Sequence, residues 1–581
     1  MGWNGARRVG VAAIGIAVVA VALAVPDEVR AADPGGAQLL ADINPGPPDS
    51  SPTDFTTFDG MTFFPATSAA QGAELWRSDG TAAGTALVRD LNPNAGSSAP
   101  GQLTEYGGVL YFAATDGSLG RELWRTSGTA GGTVRVKDLN PGPGSADPAG
   151  LFVLGGFLYF FGDDGSPGYE LFKTDGTPEG TVVVKDLTPG TAFPSVFEVI
   201  KVGSRVFFTF EGTSGEELWT SDGTDAGTVQ VKDIYPGPGS SLPTSLTAMG
   251  GALYFAAEDD ASAPRLWKSD GTAVGTVPVG TVFYPLDIAA AGSTLYISAD
   301  TSIQGYMLWR SDGTTAGTTV LAAPDATVVD IQPEWLVGVG TSAYFTADDG
   351  THGRELWTSD GTVAGTRMVT DIRPGAGVGS NPVLPTAYGA GVVFRADDGV
   401  HGTELWASAG TAASTTMLAD INAGPGNSQV RQFHPVGAEL WFQGTDAAHG
   451  AEPWHYTTPI AAAAPPPLPS NSFSLPKKGQ ASTKKGTLTL SVVLPGAGVL
   501  QVGPAGRSKL SPTTVTVARA GSSDVVLKPT KPGFKKLRKA LKAAKKKGKK
   551  VGSLKVSAAF TFTPTGGTAR TVTGQYVLKL K

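Results

Sequence analysis

Glu74-Leu75-Trp76-Arg77-Ser78-Asp79-Gly80-Thr81 returns along the chain with small changes, and its reading decides the architecture. The core triplet recurs as Glu122-Leu123-Trp124, Glu170-Leu171-Phe172, Glu217-Leu218-Trp219, Arg265-Leu266-Trp267, Met307-Leu308-Trp309, Glu355-Leu356-Trp357, Glu404-Leu405-Trp406 and Glu452-Pro453-Trp454. Successive aromatic positions lie 48, 48, 47, 48, 42, 48, 49 and 48 residues apart. A fixed period of this length marks a repeat architecture in which each unit buries its faces against its neighbours.

Working outward from the triplet, each unit reads as four short strands. In one copy these are 103–106, 109–113, 121–125 and 133–138. Ser-Asp-Gly-Thr or its equivalent joins the last two as a hairpin turn, because Gly tolerates positive φ. Asp138-Leu139-Asn140-Pro141-Gly142 then stops the ladder and leads to the next unit. Four antiparallel strands in 40 to 50 residues is the arithmetic of a propeller blade. Strands such as 158–161 lack polar alternation, as expected where both faces pack on neighbouring blades.

The ends of the array predict closure. Residues 39–46 read as a fourth strand without the preceding three, and 433–456 as three strands without a fourth. Pairing them completes a ninth blade and removes two exposed edges. The expected fold is therefore all-β: a nine-unit β-propeller with N/C-terminal strand closure. Fewer blades or two smaller rings are the alternatives that the count leaves open.

Composition agrees. The 581 residues include 79 Gly and 42 Pro, favouring many turns over long helices. There is no Cys, which excludes disulfides, thiolate catalysis and Cys-based zinc sites. Arg7 and Arg8 precede an apolar run at 9–25, with Val29-Arg30-Ala31 or Arg30-Ala31-Ala32 as a cleavage site, so residues 1–32 read as a signal peptide. The competing reading is an uncleaved anchor, since the run is near the lower limit for spanning a bilayer. No second stretch of membrane length follows, and the expectation is a secreted or cell-surface protein without a transmembrane helix in its mature chain.

The net charge of −6 hides an asymmetry. From Ile460 to Lys581 there are 23 Lys and Arg against one acid, Asp524, whereas the rest holds 22 bases against 50 acids. The expected domains are a propeller at 33–458, an Ala/Pro-rich linker at 459–472 and a basic β domain at 473–581.

The repeated Glu-Leu-Trp-x-Ser-Asp-Gly-Thr-x-x-Gly-Thr resembles the ELWxxDGT repeats of secreted bacterial proteins, over about residues 37–458. The resemblance implies an extracellular repeat protein and carries no shared enzymatic activity. The C-terminal segment, with Phe562-Thr563-Pro564-Thr565-Gly566-Gly567, resembles the lysine-rich Ig-like domains that end many actinobacterial secreted proteins, implying a small β-sandwich.

A search for chemistry finds mostly iterated parts. A catalyst needs one or two carboxylates in distinct environments, whereas the triplet Glu recurs at seven of nine positions. It reads as structural, like the aromatic beside it. The Asp of the Asp-Gly-Thr turns invites a calcium reading, yet Ser127 and Ala409 replace it while Gly128 and Gly410 stay. Weak calcium candidates are Asp163, Asp164, Asp348, Asp349, Asp397 and Asp398, paired acids in the loops between second and third strands. Two adjacent Asp supply only part of a six- to eight-oxygen shell, and solvated turns are the plainer reading. His352, His401 and His449 share one repeat position, too far around a ring to meet on one zinc. No nucleophile elbow or phosphate loop is present. A site built from unique channel residues would escape this search, and the degenerate stretch from Arg265 to Trp335 is the first place to look for one.

In the C-terminal segment, 487–494, 515–518, 523–528, 554–563 and 571–579 read as strands. Phe534, Leu537 and Leu541 fall on one face of a short amphipathic helix. Lys535, Lys536, Arg538, Lys539, Lys542, Lys545 and Lys546 give that helix a candidate polyanion-binding face. Nucleic acid fits the charge, but stacking aromatics are nearly absent and export argues against it.

The function expected from these readings is an extracellular or cell-surface binding or scaffold protein, not an enzyme. Its acidic propeller presents loops to a ligand or glycan, its basic domain associates with anionic envelope polymer, and it works as a monomer without a cofactor. The alternatives are an extracellular propeller hydrolase or lyase acting on glycans, and a calcium-stabilised adhesin.

Overall fold

The computed structural model describes residues 36–166, 168–188, 196–259, 263–301, 305–321, 330–458, 460, 471–506, 508–517, 520–565 and 569–581. The expected signal peptide and most of the expected linker lie outside them. Two compact units divide at Ala463/Ala464. Among the described residues no helix is long and apolar enough to cross a membrane.

The first unit is a β-propeller of nine four-stranded antiparallel blades among the described residues. Blade 2 is typical: Gly101–Tyr106, Val109–Thr115, Arg121–Thr126 and Val134–Arg135 pair in chain order. Blades 1, 3, 4, 7 and 8 repeat the pattern, their first strands being Thr56–Phe58, Ala149–Leu154, Val196–Val202, Glu334–Val339 and Val383–Tyr388. First strands of neighbouring blades lie against one another, so they form the innermost ring. The outermost strand is often only two residues long, as at Val134–Arg135 and Arg367–Met368, because few side chains remain there to bury.

Blades 5 and 6 share one strand. Val277–Ala291 pairs through its first half with Arg265–Ser269 and through its second half with Thr294–Asp300, joining two blades into a seven-stranded sheet. This accounts for the short 42-residue spacing. The fourth strand of blade 6 is Thr319–Val320.

Blade 9 closes the ring as expected. Arg431–Val436, Glu439–Asp446 and Gly450–Tyr456 come from the end of the array, and Gln38–Leu39 supplies the fourth strand, with Leu39 opposite Trp454. The closure is repeated on the inside, where Thr57 of blade 1 meets His434 of blade 9.

The cores lie between blades. One buried cluster joins Phe58, Phe63 and Leu75 of blade 1 to Phe112 and Trp124 of blade 2, and another joins Phe207 and Leu218 of blade 4 to Phe255 and Trp267 of blade 5. Each triplet aromatic packs backwards onto the preceding blade, so truncating one costs about 3–5 kcal/mol. Near the outer edge a cation of one blade bonds a carbonyl of the next: Arg89 to Thr133, Lys137 to Thr181, Lys232 to Thr276.

The second unit packs a three-stranded and a four-stranded sheet on one core that includes Leu490, Leu500, Val525, Phe560 and Leu578. Helix Lys531–Lys545 buries Leu537 and packs Phe534 and Leu541 against that core. Thr530 caps its first turn by accepting from the Gly533 amide. Two strands were not apparent from sequence, Gln480–Ser482 and Gly498–Pro504, the latter bounded by Gly and Pro.

Candidate functional site

The triplet Glu is a staple between blades. Glu74 is fully buried and accepts from the amides of Leu91, Asn92 and Ser98 and from the Ser98 hydroxyl at 2.6 Å, all on the segment entering blade 2. Glu217 with Ser241, Glu355 with Ser380, and Glu452 with Ser50 repeat the arrangement. Burial pushes Glu122, Glu404 and Glu452 up to about 7, against the hydrogen bonds that pull them down. Where the Glu is lost, its partner is lost too. Met307 shares a buried cluster with Ile331, which stands in the Ser position. Arg265 instead pairs with the buried Asp259 of its own blade, and Phe283 takes the Ser position.

The Asp-Gly-Thr carboxylates are likewise spent locally. Asp79 accepts from the Thr81 amide and hydroxyl, and Asp222 does the same with Thr224.

The loops between second and third strands divide. Asp348 accepts from the Gly350 amide, and Asp349 from two amides and from His352 Nδ1 at 2.7 Å. Asp397 pairs with Arg373, while Asp398 holds His401 Nδ1 at 2.7 Å. Asp446 holds His449 in the same way. Each imidazole therefore faces its own blade's Asp, and that bond raises its pKa above the ordinary value. Asp163 and Asp164 accept from the Gly165 and Ser166 amides in the same way and also meet Glu170, with one oxygen from each within 4.8 Å of the others.

These loops share one end of the propeller with the start of each first strand, because antiparallel pairing sets Gly101 opposite Ala113 near the end of the second strand. At that end the register slips in blade after blade, between Gly101 and Thr104, Thr244 and Thr247, or Glu334 and Val337. The position twenty residues before the first residue of each triplet falls at this end: Asp54, Gln102, Gly150, Phe197, Ser245, Asp287, Trp335, Leu384 and Gln432 in blades 1 to 9. Seven of these have φ between 49° and 62°: Asp54, Gln102, Gly150, Ser245, Trp335, Leu384 and Gln432. A Trp in that region is strained. The backbone conformation largely recurs at this position while the residue type varies.

Some of its side chains reach the next blade. Asp54 accepts from the Leu103 amide, Gln102 from the Gly150 amide and Asp287 from the Leu336 amide at 2.7 Å. Others are free of such a bond and exposed. Phe197 is 51% and Trp335 42% exposed, and Tyr284 and Leu286 beside Asp287 are 43% and 59% exposed, so apolar side chains gather on blades 4 to 7 of this mouth. Leu286, Asp287, Pro333, Glu334 and Trp335 line a pocket of about 210 Å³. Burial pushes Asp287 up to about 6, against the Leu336 and Ile288 amides, and the nearby Glu334 charge adds to the rise. The Arg354 guanidinium lies 3.7 Å from Glu334.

The site thus falls inside the degenerate stretch singled out from sequence, but on residues that motif reading passed over. The signal for them is a repeat position whose residue type varies from blade to blade, only Asp and Gln occurring twice.

These features define an acidic propeller with a partly aromatic channel mouth. No family model matches the chain, and no curated protein does. Among solved structures it is similar to BamB from Moraxella catarrhalis, at 12% identity over 61% of this chain and 96% of that one, with a TM-score of 0.34. It is also similar to a puromycin hydrolase, at 14% identity over 59% of this chain and 58% of that one, with a TM-score of 0.32. A prolyl endopeptidase matches at 14% over 60% and 53%, with a TM-score of 0.34. The chain thus spans less than two thirds of both peptidases. At these scores the likeness carries no weight for function, and the propeller rests on its own strand pairing.

Proposed function

We propose that this chain is an extracellular or cell-surface binding protein whose propeller mouth holds a saccharide, while its basic C-terminal unit associates with an anionic envelope polymer. The observation that carries the reading is the mouth ring. The recurring triplet Glu, turn Asp and loop His are used up in holding the blades and turns together, whereas this position varies and sets out exposed Phe197 and Trp335. Aromatic faces stack on the apolar faces of sugar rings, and Asp287 and Glu334 supply acceptors for hydroxyl groups. A pocket of about 210 Å³ is below the roughly 300–1,000 Å³ of drug-sized sites. It suits one ring of a longer chain, the rest lying along Tyr284 and Phe197. The resemblance of the repeat to the ELWxxDGT family supports the extracellular setting.

The second unit's seven candidate cations, Lys535, Lys536, Arg538, Lys539, Lys542, Lys545 and Lys546, are all exposed. A dense cationic face attracts polyanions with strong salt dependence.

Binding of the full chain to an array of bacterial cell-wall and capsular glycans tests the mouth. Saccharide binding lost in Trp335→Ala with Tyr284→Ala, at unchanged melting temperature, supports it; a binding profile identical in the variant refutes it. A glycan-cleaving enzyme is the second reading, favoured by the raised Asp287 next to Glu334. Asp54 weakens it, since it makes the same amide bond in blade 1 and is raised by burial too. Release of reducing ends from a bound glycan, abolished by Asp287→Asn, would favour the enzyme.

A further inference from the structure

Among the described residues, Glu170 is the one triplet Glu that lacks the first amide bond of the staple. In the other six, the amide seventeen residues on donates to the carboxylate: Leu91, Leu139, Ile234, Ile372, Ile421 and, across the closure, Ile43. In blade 3 the corresponding Leu187 amide turns to the Tyr169 carbonyl, and the Thr188 amide turns to Asp186 Oδ1. Glu170 is 3% exposed, and its Oε2 has no hydrogen-bond partner. A buried, unpartnered carboxylate oxygen is costly unless something else meets it.

What surrounds it is oxygen. Asp163 and Asp164 each place a carboxylate oxygen within 4.8 Å of Glu170. On another side, the position a Cβ would take on Gly168 lies 2.9 Å from Glu170 Oε1, 3.1 Å from Asp186 Oδ1 and 3.2 Å from the Thr188 carbonyl oxygen. Three chain segments therefore turn oxygens toward Glu170, and Gly168 leaves the space beside Glu170, Asp186 and Thr188 without a side chain. No Lys or Arg is ion-paired to Asp163, Asp164 or Glu170 among the described residues, in contrast to Asp259 with Arg265 and Asp397 with Arg373 in other blades.

We propose that blade 3 carries a calcium site made by Asp163, Asp164, Glu170, Asp186 and the Thr188 carbonyl oxygen. Five groups, with either carboxylate bidentate or with water, reach the six to eight oxygens that calcium takes. The hard, all-oxygen donor set excludes metals that prefer nitrogen or sulfur. Burial pushes Glu170 up to about 7, and the charges of Asp164, Asp186 and Asp163 add to the rise. The ion takes over in blade 3 the role that amides fill elsewhere, fastening the third strand to the exit of the fourth.

The test uses the full chain, freed of metal by chelator and titrated with calcium chloride alone. Calorimetry should show one site per chain, in the ~0.1–1 mM range of extracellular modules, with a melting temperature that rises on saturation. Terbium should bind the same site with luminescence sensitised through Tyr169, and Tyr169→Phe should dim it. Asp164→Asn, at a half-buried loop position, and Gly168→Ala, which fills the space, should each weaken binding at least tenfold. Glu122→Gln in blade 2 should leave it unchanged. Absence of calcium and terbium binding overturns the proposal, as does binding that Asp164→Asn and Gly168→Ala leave intact.

Discussion

Ser50 donates its hydroxyl to Glu452 Oε2 at 2.6 Å, across 402 residues of sequence. It is the same bond that Ser98 gives Glu74 within the array, here joining the two ends of the propeller. Replacing Glu452 by Met alone leaves the Ile43 and Ser50 amides without their acceptor and should cost about 1–3 kcal/mol in denaturant unfolding. The chain already holds an apolar version of the staple in Met307 and Ile331. Glu452→Met combined with Ser50→Ile should therefore recover part of the loss. A double variant no better than the sum of the singles would show that the two residues are not coupled.

The pH dependence of stability follows from the staples and the His–Asp pairs. Glu122, Glu404 and Glu452 stand near 7 in the fold against 4.5 unfolded, so the folded state holds more protons between those values. Stability from these groups rises as pH falls from about 7 toward 4.5. His352, His401 and His449 are raised by their Asp partners, and their contribution is present below 6.5 and lost as pH rises through the folded value. His434 opposes both: burial lowers it to about 4, so its contribution fades as pH falls from 6.5. Six groups outweigh one, and the propeller should melt at a higher temperature at pH 5.5 than at pH 8. His434→Gln should enlarge that difference. A melting temperature that falls between pH 8 and 5.5 would contradict the balance.

The blades were legible because period, turn Gly and triplet aromatics are fixed by packing that every unit shares. Closure was legible for the same reason, since 39–46 and 433–456 are fragments of one pattern. The shared strand Val277–Ala291 was not, because a strand continuing between blades leaves no turn signal where one blade ends. Strand Gly498–Pro504 was hidden by its own Gly and Pro. The mouth ring was illegible for a deeper reason: its positive φ goes with the register slip, not with residue type, so Gln, Ser, Trp and Leu occupy one backbone position. Asp163 and Asp164 stood out as a pair, whereas Glu170, Asp186 and Thr188 join them only through pairing of the third and fourth strands.

Trp335 gives a way to separate function from folding. At φ 59° a Trp side chain is strained, and blade 3 uses Gly150 at φ 58° in the equivalent place. Trp335→Gly should relieve about 1–2 kcal/mol of backbone strain. Because the indole is 42% exposed, little packing is lost in exchange. The variant should melt no lower than the parent, and higher if strain dominates, while saccharide binding falls. A large drop in melting temperature would mean that the indole holds blades 6 and 7 together instead of serving a ligand.

The helix of the second unit should act as a charge carrier separable from its fold. Phe534, Leu537 and Leu541 anchor it to the core, and the cations point away from that contact. Lys535→Glu, Lys539→Glu and Lys542→Glu should therefore leave the near-ultraviolet circular dichroism of the full chain unchanged. The triple variant should lose retention on a teichoic acid or heparin matrix, and the salt needed to elute it should fall. Charge alone predicts that retention of the parent also disappears by about 1 M salt, where the Debye length is near 3 Å. Retention that survives such salt would require specific contacts, and retention unchanged in the triple variant would move the polyanion site to the other lysines of the unit.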